Sequence, residues 1–216
     1  MSTKLKIAAA VAAAVLLSAC SSPKHEPMPL VNFTPSMEVT EVWSKGLSSA
    51  EGFLVPAVYD DMVFAAGGKT LTRLNARTGE TEWSVSFDSP ITGGVGSDGY
   101  VTAVGLWDGN LEVVDAEGKV SWEKKLTTEL ASPPVVSHGL VIARTMDTRV
   151  SAFEASSGEL QWTYQKSQPA LTVRLPTRML AHDNFLLVGQ PNGHIVILDI
   201  ASGKPVFEFQ VAQAKG

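Results

Sequence analysis

Short apolar runs alternate with brief polar breaks along most of this chain, and the order of runs and breaks repeats. Residues 134–143 read as an apolar run, a polar turn at His138 and Gly139, and a second apolar run, the pattern of two short antiparallel strands. Residues 150–153 supply a third strand. Residues 154–158 close it with a turn ending in Gly158, and the chain then reverses into a fourth strand that ends on Trp162. The runs 185–188 and 195–198 are apolar at every position and do not alternate, so both faces of their sheet are expected to be covered.

The same plan recurs with different residues. Trp83, Trp122, Trp162 and Phe207 each follow a glycine (Gly79, Gly118, Gly158 and Gly203) at one fixed short spacing, and Trp43 precedes them in step. Their intervals of about 40 residues, in strand-forming sequence, predict an all-β fold: a β-propeller of four-stranded antiparallel blades. The five aromatics Trp43, Trp83, Trp122, Trp162 and Phe207 are expected to fill the gaps between adjacent blades. Asn75, Asp115 and Asp199 open the matching turns. Their side chains are suited to accept backbone N–H groups there, which makes them structural residues and not chemical ones. Trp107 falls out of step at a hairpin tip between Gly105 and Gly109 and reads first as a packing residue, second as a surface contact.

A different kind of sequence precedes the repeats. Lys4 and Lys6 lead into an apolar stretch over 7–17 that is too short to span a bilayer, followed by Leu17, Ser18, Ala19 and Cys20. This describes an export signal over residues 1–19, and the sequence before Cys20 resembles a bacterial lipobox. That resemblance implies that Cys20 is diacylated and becomes the mature N-terminus, a stable membrane anchor. With Ser21 and no Asp after the cysteine, it also implies sorting to the outer membrane, with the body facing the periplasm. Residues 20–38, with Pro23, Pro27, Pro29 and Pro35, read as an extended tether. The partial propeller then occupies 39–216.

Charge and motif content narrow the chemistry. The formal net charge is −5 and no basic stripe is present, which argues against nucleic acid as a partner. Cys20 is the single cysteine, so no disulfide forms within the chain. His138 and His182 are placed in equivalent strand-connecting turns, His194 beside a hairpin signal and His25 in the tether, none with a metal partner at ligand spacing. The segment Asp115 to Gly118 has a trace of a calcium loop but reads better as a turn. No catalytic residue and no metal site is assigned.

The blade pattern resembles the pyrroloquinoline-quinone repeat family, and residues 74–83, ending Thr78, Gly79 and Trp83, follow its tryptophan-docking motif closely. Some members are quinoprotein dehydrogenases with a disulfide of adjacent cysteines beside the cofactor, a pair this sequence lacks. Taken with the lipobox, the tether holding Phe33, Thr34 and Pro35, and Trp43, the chain resembles the propeller lipoproteins of the outer-membrane β-barrel assembly machinery. That resemblance implies eight blades, no catalytic activity, no cofactor, and docking on the periplasmic POTRA domains of the central barrel subunit. It further implies company with the other assembly lipoproteins and with unfolded outer-membrane clients. The family's Leu-x-Leu-Arg docking loop maps onto Leu171, Val173 and Arg174, with Val173 as the departure. The other reading of Leu171 and Val173 is that they begin the next blade's inner strand. A quinoprotein-like dehydrogenase and a periplasmic ligand-binding propeller stay open as alternative functions. Four visible repeats against the eight implied make the sequence read as the N-terminal part of a longer protein.

Overall fold

The computed structural model describes residues 36–48, 54–166, 177–191 and 193–211. The chain divides into Met1–Thr40 and Glu41–Gly216, and every strand belongs to the second unit. In the first unit, the described residues 36–40 hold no strand.

Among the described residues, sixteen strands form four sheets, each an antiparallel meander of four consecutive strands. Blade 1 holds β1 (Ala57–Tyr59), β2 (Met62–Gly67), β3 (Thr70–Asn75) and β4 (Thr81–Ser86). Blade 2 holds β5 (Ile91–Ser97), β6 (Thr102–Leu106), β7 (Asn110–Val114) and β8 (Val120–Lys125). Blade 3 holds β9 (Val135–Ser137), β10 (Leu140–Arg144), β11 (Val150–Glu154) and β12 (Leu160–Tyr164). Blade 4 holds β13 (Leu180–His182), β14 (Phe185–Gly189), β15 (His194–Asp199) and β16 (Pro205–Gln210).

Strand parity sends neighbouring residues into different seams, because successive side chains in a strand point to opposite faces. In blade 2, Val104, Leu106 and Val114 join Phe64 and Leu71 of blade 1 in one core. Their neighbours Ala103, Leu111 and Val113 join Val141, Ala143 and Phe153 of blade 3 in the next. Blade 3 repeats the division: Ile142, Val150, Ala152 and Trp162 pack with Leu186, Val188, Val196 and Leu198 of blade 4. The inner strands therefore carry unbroken apolar runs, as β6 and β10, buried along their whole length, do. Full burial of a Leu, Ile or Phe of this kind contributes about 1.5–3 kcal/mol.

Every blade has the same irregularity. The pairing of third and fourth strands shifts by one residue just before the aromatic, between Arg73 and Leu74, Val113 and Val114, Ala152 and Phe153, and Ile197 and Leu198. The extra residue on the fourth strand is Glu82, Ser121, Gln161 or Val206. A bulge at that point adds local twist and fixes the direction in which the following aromatic leaves the sheet.

Three expectations from sequence are corrected. The first is that blade 4 has both faces covered. Leu186, Val188, Val196 and Leu198 are buried, but Phe185, Phe207 and Phe209 on the opposite face are 40%, 60% and 38% exposed, because no described element packs against them. The second concerns His182, which ends β13 opposite Phe185 and does not sit in the turn. The position equivalent to His138 is Asp183, and both adopt positive φ, 55° and 47°. The third is Trp107: it does not pack into a seam but lies 58% exposed beyond β6.

Candidate functional site

Four tryptophans lie in four equivalent places. The indole Nε1 of Trp43 donates to the carbonyl of Ala76 at 2.9 Å, Trp83 to Ala116 at 2.9 Å, Trp122 to Ala155 at 2.8 Å and Trp162 to Ile200 at 3.0 Å. In each case the acceptor belongs to the turn of the following blade. The ring lies against that turn's glycine. A Cβ built on Gly79, Gly118, Gly158 or Gly203 would come within 2.4–2.7 Å of the ring of Trp43, Trp83, Trp122 or Trp162 respectively. These glycines all have positive φ, from 67° to 81°, so the position excludes a side chain both by conformation and by space.

The turn that receives the indole is itself held by its first residue. Asn75 Oδ1 accepts from the N–H groups of Arg77 and Thr78 at 2.9 and 3.1 Å, and Asp115 Oδ1 from those of Glu117 and Lys119 at 3.1 and 2.8 Å. Asp199 Oδ1 accepts from the Ser202 N–H at 2.9 Å and from the Ser202 hydroxyl, and these bonds lower its pKa. The residue after that Asn or Asp presents the acceptor carbonyl, a role that spacing alone did not identify. Phe207 occupies the fourth equivalent position in the blades but has no N–H to donate, and no turn covers it among the described residues.

The connection from blade 3 to blade 4 carries the partner-binding candidates. Leu171, Val173 and Arg174 lie outside the described residues, as does Cys20. Both flanks of that connection are described and are braced. Lys166 makes a two-pronged ion pair with Glu208 of β16, at 2.5 and 2.7 Å. Thr177 accepts from Nη1 of Arg144 at 2.7 Å and donates to the carbonyl of Gly189 at 3.4 Å. Arg144 is 4% exposed, makes no ion pair among the described residues, and has its pKa lowered by burial. A buried guanidinium with a hydroxyl partner fixes the root of the connection to blade 3. Sequence reasoning missed it because Arg144 ends an ordinary apolar strand.

The seam between blades 1 and 2 holds the one strongly shifted acid among the described residues. Glu112 is 7% exposed and stands opposite Glu123 across β7 and β8. Burial first, then the charge and hydrogen bond of Glu123 with smaller contributions from Asp108 and Asp88, raise its pKa to about 7. No set of three or more His, Cys, Asp or Glu side chains among the described residues is placed to hold a metal ion. No described helix is long and apolar enough to cross a membrane.

Comparison with known proteins places this arrangement. The family whose sequence model matches residues 67–216 is described as "Outer membrane protein assembly factor BamB". A protein of Burkholderia pseudomallei bearing that name is 36% identical over 214 residues, which is 96% of this chain and 56% of the relative. The crystal structure of BamB from Moraxella catarrhalis superposes with a TM-score of 0.67 at 29% identity, covering 76% of this chain and 50% of that one. A quinohemoprotein alcohol dehydrogenase of Pseudomonas putida superposes with a TM-score of 0.57 at 17% identity, a likeness of fold alone. The chain thus spans about half the length of the relatives it matches. With the family match running from the end of β2 through blade 4 and the relay of indoles on glycine turns repeated at each seam, the chain belongs to the BamB family of outer membrane protein assembly factors.

Proposed function

We propose that this chain supplies half of a non-catalytic propeller that scaffolds the assembly of β-barrel proteins into the outer membrane of a Gram-negative bacterium. Cys20 carries the lipid that holds it to that membrane, with the blades facing the periplasm. The connection bearing Leu171, Val173 and Arg174 docks on the POTRA domains of the central barrel subunit, beside the other assembly lipoproteins and within reach of unfolded clients. The family match over residues 67–216 carries the assembly role.

The docking assignment draws support from the bracing of the connection's two ends. The Lys166–Glu208 pair ties one described end of the connection to blade 4 and the Arg144–Thr177 bond ties the other to blade 3, and a site with anchored ends loses less entropy on binding. An arginine flanked by aliphatic residues suits a partner hot spot, because the guanidinium pairs while the aliphatics are desolvated.

The test uses the full-length protein. Leu171→Ala combined with Arg174→Ala is expected to weaken binding to the isolated POTRA domains of the cognate barrel subunit by about 2 kcal/mol or more, read by calorimetry. Unchanged affinity in a folded double variant removes the docking site. Failure of the wild-type protein to bring down a barrel subunit from detergent extract removes the scaffold reading itself.

A further inference from the structure

The three seams carry different groups at one shared position. Each blade turns a cross-strand pair toward the blade before it: Glu112 and Glu123 in blade 2, Ser151 and Thr163 in blade 3, Val196 and Glu208 in blade 4. The preceding blade meets that pair with the residues that follow its docking tryptophan on the same face. These are Val85 and Phe87 in the first seam, Lys124 and Leu126 in the second, and Tyr164 and Lys166 in the third.

Only the third seam is matched in charge, through Lys166 and Glu208. In the second, Lys124 is met by hydroxyls, and Ser151 and Thr163 bond each other at 3.3 Å. Lys124 has no ion-pair partner among the described residues. Smaller groups also stand here than in the first seam, and the blades leave a half-open cavity of about 330 Å³ between them.

The walls of that cavity divide by chemistry. Leu126, Ala143, Phe153 and Leu160 give it an apolar side. Lys124 and Arg149 add positive charge, and no carboxylate lines it among the described residues. Arg149 reaches Asp147 only at 3.7 Å, and its buried Nε has no hydrogen-bond acceptor. Asp147 meanwhile accepts from the hydroxyls of Thr127 and Thr145, both in the cavity wall, which engage its carboxylate beside Arg149. Lys125 is already committed, since its ammonium donates to the carbonyl of Asp108. The chain is acidic overall, yet Lys124 has no carboxylate partner among the described residues and Arg149 meets Asp147 only at 3.7 Å; beside hydroxyls and hydrocarbon, these two cations mark a place for an anion that has an apolar body.

We propose that the groove between blades 2 and 3 binds an alkyl carboxylate. The carboxylate lies among Lys124, Arg149 and the Ser151–Thr163 hydroxyls, and the chain runs over Leu126, Phe153 and Leu160. A half-open groove of this size seats part of an alkyl chain and leaves the rest in solvent, and a medium-chain fatty acid supplies such a chain with one carboxylate. The proposal draws on none of Leu171, Val173 and Arg174, so either assignment stands or falls alone.

Calorimetry with decanoate, decanol and decyltrimethylammonium, each below its aggregation threshold, tests this directly. Decanoate is expected to bind saturably at one site, with the other two at least about tenfold weaker. Lys124→Gln and Arg149→Gln, on partly exposed side chains, are each expected to weaken decanoate by about tenfold while the melting temperature holds. Leu160→Glu is expected to do the same by charging the apolar side. Absence of saturable decanoate binding, equal binding of the three probes, or undiminished binding by folded Lys124→Gln and Arg149→Gln would overturn the proposal.

Discussion

The indole of Trp83 and the α-carbon of Gly118 share a space with room for only one side chain: a Cβ on Gly118 would lie 2.7 Å from Cδ2 of Trp83. Gly118→Ala is therefore expected to destabilise the protein by about 3 kcal/mol, from positive-φ strain and from displacement of the ring. Trp83→Phe and Trp122→Phe separate the hydrogen bond from the packing. The Ala116 carbonyl also accepts from Nη1 of Arg73 at 3.0 Å, whereas the Ala155 carbonyl has Trp122 as its one donor among the described residues. Trp122→Phe should thus cost about 1 kcal/mol more than Trp83→Phe in urea unfolding, and equal losses would show that the N–H bond is not what distinguishes them.

Glu112 makes stability depend on pH in the direction opposite to an ion-paired acid. Its folded pKa of about 7 lies above the ordinary value of 4.5, so the folded state holds more protons than the unfolded state between these values. Its favourable contribution is complete below the lower value and is lost as pH rises through the upper one. Glu123, Asp108 and Asp88 are the charges that act on it, while Lys69 and Lys125 nearby bond the carbonyls of Asp88 and Asp108. Glu112→Gln should match the parent near pH 4 and exceed it by roughly 2 kcal/mol at pH 8. A parent whose stability rises from pH 5 to pH 8, relative to this variant, contradicts the assignment.

The inner strand of blade 2 passes hard against the segment entering blade 3. A Cβ on Gly96 would sit 2.0 Å from the backbone oxygen of Pro134, an atom that cannot rotate away. Gly96→Ala should cost about 3 kcal/mol or more in thermal unfolding. Gly46→Ala, which meets nothing within 4 Å, is the control and should change stability by about 0.5 kcal/mol at most. Similar effects at the two positions would mean that the blades are not in this close contact.

The outer face of blade 4 presents Phe207 and Phe209 with ring centroids 5.9 Å apart, beside exposed Phe185. When the span ending at Gly216 is produced by itself, this face should drive self-association. Phe207→Lys with Phe209→Lys should then shift sedimentation toward monomer with little loss of blade 4 structure, since their side chains contribute little to the buried core. Unchanged association places the contact elsewhere.

The blade plan was legible because steric rules wrote it into composition. Positive φ requires glycine at Gly118 and Gly158, a turn opener needs an acceptor such as Asp115, and a seam needs a broad flat ring such as Trp122. What escaped was whatever depends on the neighbouring blade. Glu112 sits within an apolar run, Leu111 to Val114, and its burial follows only from the Val85 and Phe87 side of blade 1. Trp107 was misjudged for the same reason, since ring size alone does not reveal whether a seam lies beside it. The uncovered face of blade 4 could not be read from its own apolar run 195–198, which is the same whether or not another sheet lies against it; only the count of four repeats against eight, which leaves the end sheets of a half-ring uncovered, pointed to it. The charge differences among the three seams had no signal at all until the strands were paired.

Each indole is made with one blade but satisfied by the next, and that gives construction of the fold a direction. As a chain is synthesised, Trp83 emerges before Ala116 and Gly118, and Trp122 before Ala155 and Gly158. Every newly finished sheet waits with an open latch until its successor arrives to close it. A fault in one sheet therefore leaves its predecessor's tryptophan showing, a local and readable mark of incomplete manufacture that a chaperone or protease can act on without inspecting the rest.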